Sequence, residues 1–283
     1  MRRFRLIWSA GLLALAAGLA HAPAAAQIRS GSDRALPVRS ALVDGWEEAP
    51  GQRLLGFAVS LAPGWKTYWR APGELGIPPG FDWSDSDNVA DVEVLWPVPR
   101  VFRSGESRYA GYAGRALLPL RVRARDPARP MHLRLTASFG VCEDICIPAE
   151  ARLDAVLPPG APRGADAEAI AAALARLPVP AREAGLRAIE CRLSPAGPDA
   201  FELEAVLHFD GPPEAVEMAA IEAPVPDLWI AAPEIQRGPG LVRLRARLDY
   251  LGTGPLALDR DSLRFTLIGP GRAIEQRGCR LPG

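Results

Sequence analysis

Residues 131–139 read Met-His-Leu-Arg-Leu-Thr-Ala-Ser-Phe. Met131, Leu133, Leu135, Ala137 and Phe139 fall on one side of the chain, and His132, Arg134, Thr136 and Ser138 on the other. A period of two marks a strand with one buried and one wet face. The same period recurs on both sides of this stretch. Leu118, Leu120, Val122 and Ala124 alternate with Arg121, Arg123 and Arg125. Further on, Phe201, Leu203, Ala205, Leu207 and Phe209 alternate with Glu202, Glu204 and His208, and Val242, Leu244, Ala246 and Leu248 with Arg243, Arg245 and Arg247. The arginine rows read as solvated sheet faces. Turn signals at Ala62-Pro63-Gly64, Pro78-Pro79-Gly80 and Gly252-Thr253-Gly254-Pro255 separate the strands. Short strands at this spacing predict an all-β fold of antiparallel sandwiches.

The composition agrees. With 27 Gly and 29 Pro in 283 residues, the chain is too rich in turns for a long helical bundle. Its length suits about two domains. The 33 Lys+Arg balance 33 Asp+Glu, so no electrostatic argument for nucleic acid exists. Lys66 is the sole lysine, which reads as a coding bias towards arginine.

At the start of the chain, Arg2, Arg3 and Arg5 precede an apolar run from Leu6 to Ala20, and Ala24-Ala25-Ala26 follows. Residues 1–26 therefore read as a signal peptide, too short in its apolar part to span a bilayer, with a cut after Ala26. No later stretch predicts a membrane span. The expected compartment is an oxidising one, most simply a bacterial periplasm. Pro158-Pro159-Gly160-Ala161-Pro162 leads into an Ala-rich helical stretch from Asp166 to Leu177, which Pro178 and Pro180 stop. These features divide the chain into a first domain at 30–160, a linker at 161–180 and a second β-sandwich domain at 181–283.

Four cysteines allow three pairings. Keeping each pair within its own half gives Cys142–Cys146 and Cys191–Cys279. A bridge across three residues gains little from chain entropy, which argues against a purely stabilising role. Glu143 and Asp144 between the sulfurs would raise a thiol's pKa, suiting a thiol that waits for an incoming disulfide better than a strong oxidant. Cys191–Cys279 would close a loop worth about 4–5 kcal/mol in the entropy model and reads as a structural disulfide.

Trp65-Lys66-Thr67-Tyr68-Trp69-Arg70, then Tyr109-Ala110-Gly111-Tyr112, then Val141-Cys142-Glu143-Asp144-Ile145-Cys146-Ile147-Pro148 occur in that order. In this the chain resembles the periplasmic amino-terminal domain family of the thiol:disulfide interchange protein DsbD, and is more similar still to the suppressor-of-copper-sensitivity-type membrane reductases. The resemblance spans about residues 40–160. It implies an immunoglobulin-like sandwich, extended here to two consecutive ones. It also implies a cysteine pair that takes electrons from a thioredoxin-like domain of a membrane thiol reductase and passes them to periplasmic disulfide proteins. Cys146 would form the mixed disulfides and Cys142 would resolve them, which makes the chain a component of a protein-disulfide reductase without a cofactor. The family covers its cysteines with an aromatic cap, for which Tyr109 or Tyr112 is the match. The spacing of three residues is shorter than in DsbD itself, and the membrane channel and thioredoxin-like domain are not in this sequence.

Two other functions fit the pair. Cys-x3-Cys is also the spacing of Sco-type copper chaperones, and two thiolates with His132 as a third ligand would suit Cu(I). The absence of a βαβ pattern around the cysteines speaks against a Sco-like fold. A scaffold of two sandwiches with inert disulfides is the third reading. Asp82, Asp85, Asp87 and Asp91 read as an acidic turn, not a calcium loop, and Trp65, Trp69, Trp83 and Trp96 as packing.

Overall fold

A computed structural model of the chain describes residues 27–29, 37–73 and 76–281; the signal-peptide reading at 1–26 lies outside them. The first half contributes β1 (Gln27–Arg29), β2 (Val38–Ala49), β3 (Gln52–Leu61), β4 (Lys66–Tyr68), β5 (Gly80–Asp82) and β6 (Val89–Val94). It continues with β7 (Arg100–Ser104), β8 (Ser107–Ala113), β9 (Arg115–Ala124), β10 (Met131–Cys142) and β11 (Cys146–Leu157). After helix α1 (Ala167–Leu174) come β12 (Val179–Pro180), β13 (Leu186–Pro195), β14 (Ala200–Phe209), β15 (Met218–Glu222) and β16 (Leu228–Ile230). The chain ends with β17 (Glu234–Gly238), β18 (Leu241–Tyr250), β19 (Arg264–Gly269) and β20 (Arg272–Arg277).

The fold is all-β, as the alternation requires. In the first half, the sheet β1-β11-β10-β4-β8-β7, with β5 also on β10, faces the sheet β2-β3-β9-β6. Leu133, Leu135, Ala137 and Phe139 of β10 and Leu153 and Ala155 of β11 bury against Leu55, Phe57, Leu118 and Leu120 of the opposing sheet. Trp69 is fully buried in this core, with Trp65, Trp83 and Trp96 packed at its margin. In the second half, β13-β14-β18-β16, with β17 also on β18, faces β12-β20-β19-β15. Cys191 and Cys279 are bonded within that core. The arginine rows lie on the outer faces in cross-strand ion pairs: Arg121 with Glu48 at 2.8 Å and Glu93 at 2.7 Å, and Arg245 with Glu204 at 3.1 Å.

The proline-rich joint is not a free tether. Arg53, 2% exposed, holds Asp44 through both carboxylate oxygens and donates to the carbonyls of Ala161 at 3.2 Å and Pro162 at 3.0 Å. The chain is thereby turned back, and α1 lays Ile170, fully buried, onto the outer face of β2, β3 and β9. The helix ends at Leu174, earlier than the prolines alone would stop it.

Sheet β12-β20-β19-β15 is covered on both faces. Ala219, Ile221, Phe265 and Leu267 point into the second half's own core. The alternate residues Met218, Ala220, Ile268 and Ala273 join the core cluster of the first half. Two sandwiches that share such a sheet form a continuous apolar interior.

Replacing Arg53 with Ala should lower unfolding free energy by about 3–5 kcal/mol, because it leaves the Asp44 carboxylate uncompensated at a largely dry site. Urea denaturation measures this, and a loss below about 1 kcal/mol would mean that the joint is held by apolar packing alone.

Candidate functional site

Cys142 and Cys146 are the last cross-strand partners of the β10–β11 ladder, and the two are disulfide-bonded across the turn 143–145. The ladder runs in unbroken register from Met131↔Leu157 to Cys142↔Cys146. That register places Cys142 on the outer face of β10, with Gly140 and Ser138, while Val141 and Phe139 face the core. Cys142 is nevertheless only 6% exposed, whereas Cys146 and the turn residue Ile145, at 68%, are open to solvent.

The cover over Cys142 comes from β4. This short strand pairs with β10 through Val141↔Thr67 and Cys142↔Lys66, and the Thr67 hydroxyl donates to the Gly140 carbonyl at 2.8 Å. Tyr68 then lies over Gly140, where a Cβ would come within 3.2 Å of its Cε2, so the missing side chain makes room for the ring. The Tyr68 hydroxyl reaches Cys142 Sγ at 3.0 Å and Cys146 Sγ at 3.3 Å. A bridged sulfur carries no hydrogen, so Tyr68 is the donor in both contacts. Burial first, and then the neighbouring Tyr109 hydroxyl, push the Tyr68 phenol above its usual value. It therefore keeps its proton well beyond neutral pH.

Beside it stands a row of aromatic rings. Tyr109 of β8 meets Tyr68 edge-on at 5.7 Å between centroids and stacks on its cross-strand partner Phe102 at 5.4 Å. The Lys66 ammonium lies 5.7 Å from the Phe102 centroid and donates to the Gly64 carbonyl at 3.1 Å. Glu143 occupies the space beside Gly64, where a Cβ would collide with its carboxylate. One cation and two acids thus flank the pair.

Of the two tyrosines expected as a cap, the structure brings only Tyr109 to this face. Tyr112 is a correction: three residues on, it points the other way, is buried in the core and donates its hydroxyl to the Pro97 carbonyl at 2.7 Å. Burial pushes its phenol upward as well. Sequence reasoning missed Tyr68 and Phe102 as cover, although Tyr68 stands in the quoted Trp65–Arg70 segment. His132 is a second correction. It lies ten positions from Cys142 on the same strand, roughly 33 Å away, and joins Asp87 in a backbone bridge, so it cannot complete a copper site there. Among the described residues, no group of three or more His, Cys, Asp and Glu is placed to hold a metal ion. In the acidic stretch, Asp82 accepts the Ser84 amide at 2.9 Å, as an acidic turn does, and Asp91 pairs with Arg123 at 3.5 Å.

The family model for the amino-terminal domain of the thiol:disulfide interchange protein DsbD matches residues 32–158, the segment that builds the capped pair. The match supports a DsbD amino-terminal-type family for this segment. In fold, the chain is similar to the N-terminal periplasmic domain of ScsB from Proteus mirabilis, with a TM-score of 0.65 and 22% identity over 90% of this chain and 98% of that one. No curated protein matches the chain. The DsbD amino-terminal-type domain supports a thiol–disulfide exchange module.

A hydroxyl 3.0 Å from a sulfur stabilises a thiolate formed there, and hydrogen bonds to charged groups contribute about 1.5–3 kcal/mol. In the reduced protein, Tyr68→Phe should move the pH profile of thiol alkylation upward by about one unit. An unchanged profile would mean that the hydroxyl does not serve the thiolate.

Proposed function

We propose that the chain is a periplasmic thiol–disulfide exchange module in which Cys146 meets partners and Cys142 resolves the mixed disulfide. The observation that carries this reading is the asymmetry of the pair: Cys142 is 6% exposed beneath Tyr68, and Cys146 faces solvent beside exposed Ile145. The electron donor is a thioredoxin-like domain of a membrane thiol reductase, and the recipients are periplasmic disulfide proteins. Residues 1–26, read as a signal peptide, would bring the module to that compartment.

In the oxidised module, a donor thiolate attacks Cys146 Sγ. The Cys142–Cys146 bond breaks, and its electron pair leaves on Cys142 Sγ, where the Tyr68 hydroxyl receives the charge. The donor's second thiolate then attacks its own sulfur in the mixed disulfide. The donor leaves oxidised and Cys146 is released as a thiolate, so two electrons have moved. Towards a recipient disulfide the sequence reverses: the Cys146 thiolate attacks, one recipient sulfur leaves as a thiol, and Cys142 displaces the other. Glu143 and Asp144 beside the pair disfavour the thiolate, while Tyr68 and Lys66 favour it. The balance suits transfer in both directions.

Cys142→Ala should trap a covalent complex between Cys146 and a thioredoxin-like partner, and Cys146→Ala should trap at least tenfold less. Non-reducing electrophoresis and mass mapping of the crosslink measure this, beside a Cu(I) titration of both variants. Equal trapping by the two would overturn the assigned roles. Absence of any trapping, together with Cu(I) binding that both substitutions abolish, would replace exchange by a metal function.

A further inference from the structure

Two residues beyond Tyr68, the chain is held by the second half. The Arg70 side chain is 10% exposed and its guanidinium stacks 4.1 Å above the Trp69 ring. Its Nε donates to both carboxylate oxygens of Glu222, at 3.0 and 3.1 Å. Its Nη2 donates to Thr266 Oγ1 at 3.2 Å and to Glu275 Oε2 at 2.5 Å. The three acceptors stand on β15, β19 and β20, on the face of that sheet turned towards the first half. Thr266 is fully buried and pairs with Glu275 in the ladder.

The contacts continue on either side of Arg70. Trp69 is fully buried, and its amide donates to the Ala110 carbonyl at 3.0 Å. The Ala110 amide in turn donates to the Pro72 carbonyl at 2.9 Å. Met218 fills the space beside Gly73, where a Cβ would lie 2.9 Å from its Cε. Arg108, next to Tyr109, donates to the Glu217 carbonyl at 2.7 Å. The strands that carry Tyr68 and Tyr109, β4 and β8, are therefore tied to the second half close to these residues.

We propose that the second half acts as a clamp on the redox site: through Arg70, Glu222 and Glu275 it holds Tyr68 closed over the Cys142–Cys146 sulfurs. This deepens the exchange reading, and Arg70 is a positioning residue that touches neither sulfur. β4 itself is three residues long; it pairs with β10 at two positions and with β8 at three, and β8 is in turn tied to the second half through Arg108. A guanidinium bridging two carboxylates of the second half adds a restraint beyond the sheet bonds, because its planar set of donors tolerates little rotation. A donor that closes with Cys146 must displace or accommodate Tyr68, so the strength of the clamp sets how often the pair is open.

The test uses the oxidised full chain and dithiothreitol, which needs no protein partner. One thiolate attacks a sulfur of the pair, the second closes the cyclic disulfide of the reagent, and two cysteine thiols are released. Arg70→Ala should accelerate this reduction about tenfold, equivalent to about 1.4 kcal/mol in barrier. Glu222→Gln combined with Glu275→Gln, which keeps side-chain volume, should accelerate it in the same direction, and Arg70→Lys should restore part of the protection. In a Tyr68→Ala background, Arg70→Ala should add nothing, because the lid it positions is gone. An unchanged rate in both the Arg70 and the glutamate variants overturns the clamp. Equal acceleration with and without Tyr68 also overturns it, since that is the signature of a generally loosened fold. These rates are independent of partner trapping, so the clamp and the exchange roles fail separately.

Discussion

The register of β10 against β11 is the constraint from which the site follows. Twelve cross-strand pairs, without a bulge, deliver Cys142 and Cys146 to facing positions at the end of the ladder. A slip of one residue would turn Cys142 towards the core and Val141 outward. The register is secured by what it buries: Leu133, Leu135, Ala137, Phe139 and Val141 on one strand, Ala149, Ala151, Leu153, Ala155 and Leu157 on the other. The apolar core of the first sandwich thus determines where two sulfurs stand at its rim.

A second layer of organisation is polar. Arg53 and Arg70 are the two arginines most removed from solvent in the first half, and each joins segments far apart in sequence. Arg53 fastens the joint at Ala161 and Pro162 to the first sandwich, and Arg70 fastens the strand of Tyr68 to the second. Burying a guanidinium costs solvation that its carboxylates offset only when the geometry is good, so such groups contribute less to net stability than to directing how apolar surfaces meet. Between these anchors, Met218, Ala220, Ile268 and Ala273 supply the contact, and a sheet covered on both faces has no solvated side left on which to slide.

Much of this was legible in the residues and some was not. The alternation at 131–139, 118–124, 201–209 and 242–248 appears as β10, β9, β14 and β18, because burial on one face imposes a period of two whatever the partners are. The continuation of β10 through Gly140 to Cys142 breaks the pattern: both outward positions there are buried, under a ring from a strand some seventy residues earlier. A local period carries no record of such long-range cover, so Tyr68 did not stand out. The parity of β8 did contain usable information about the cap. Tyr109 and Tyr112 lie three apart on one strand and so point to opposite faces; only one of them can stand at the sulfurs. The apolar alternate face of β15 and β19 was readable as Met218, Ala220 and Ile268, but what covers it is a matter of tertiary arrangement.

The two disulfides divide stability from chemistry, and their surroundings explain how. Cys191 and Cys279 are 1% and 8% exposed within an apolar core, and join β13 to the segment that follows β20. Neither bridged sulfur has a hydrogen to donate, and among the described residues no side-chain donor reaches either one. A thiolate formed at that site would have neither solvent nor a donor, so opening the bridge is opposed on both sides of the reaction. At Cys142–Cys146 the same factors are reversed. One cysteine is exposed to solvent, the sulfur of the other leaves into a prepared hydroxyl, and the acids of the turn limit how far the thiolate is favoured. Reactivity here comes less from the three-residue spacing than from the unequal environments that a hairpin tip and a single tyrosine impose on two bonded atoms.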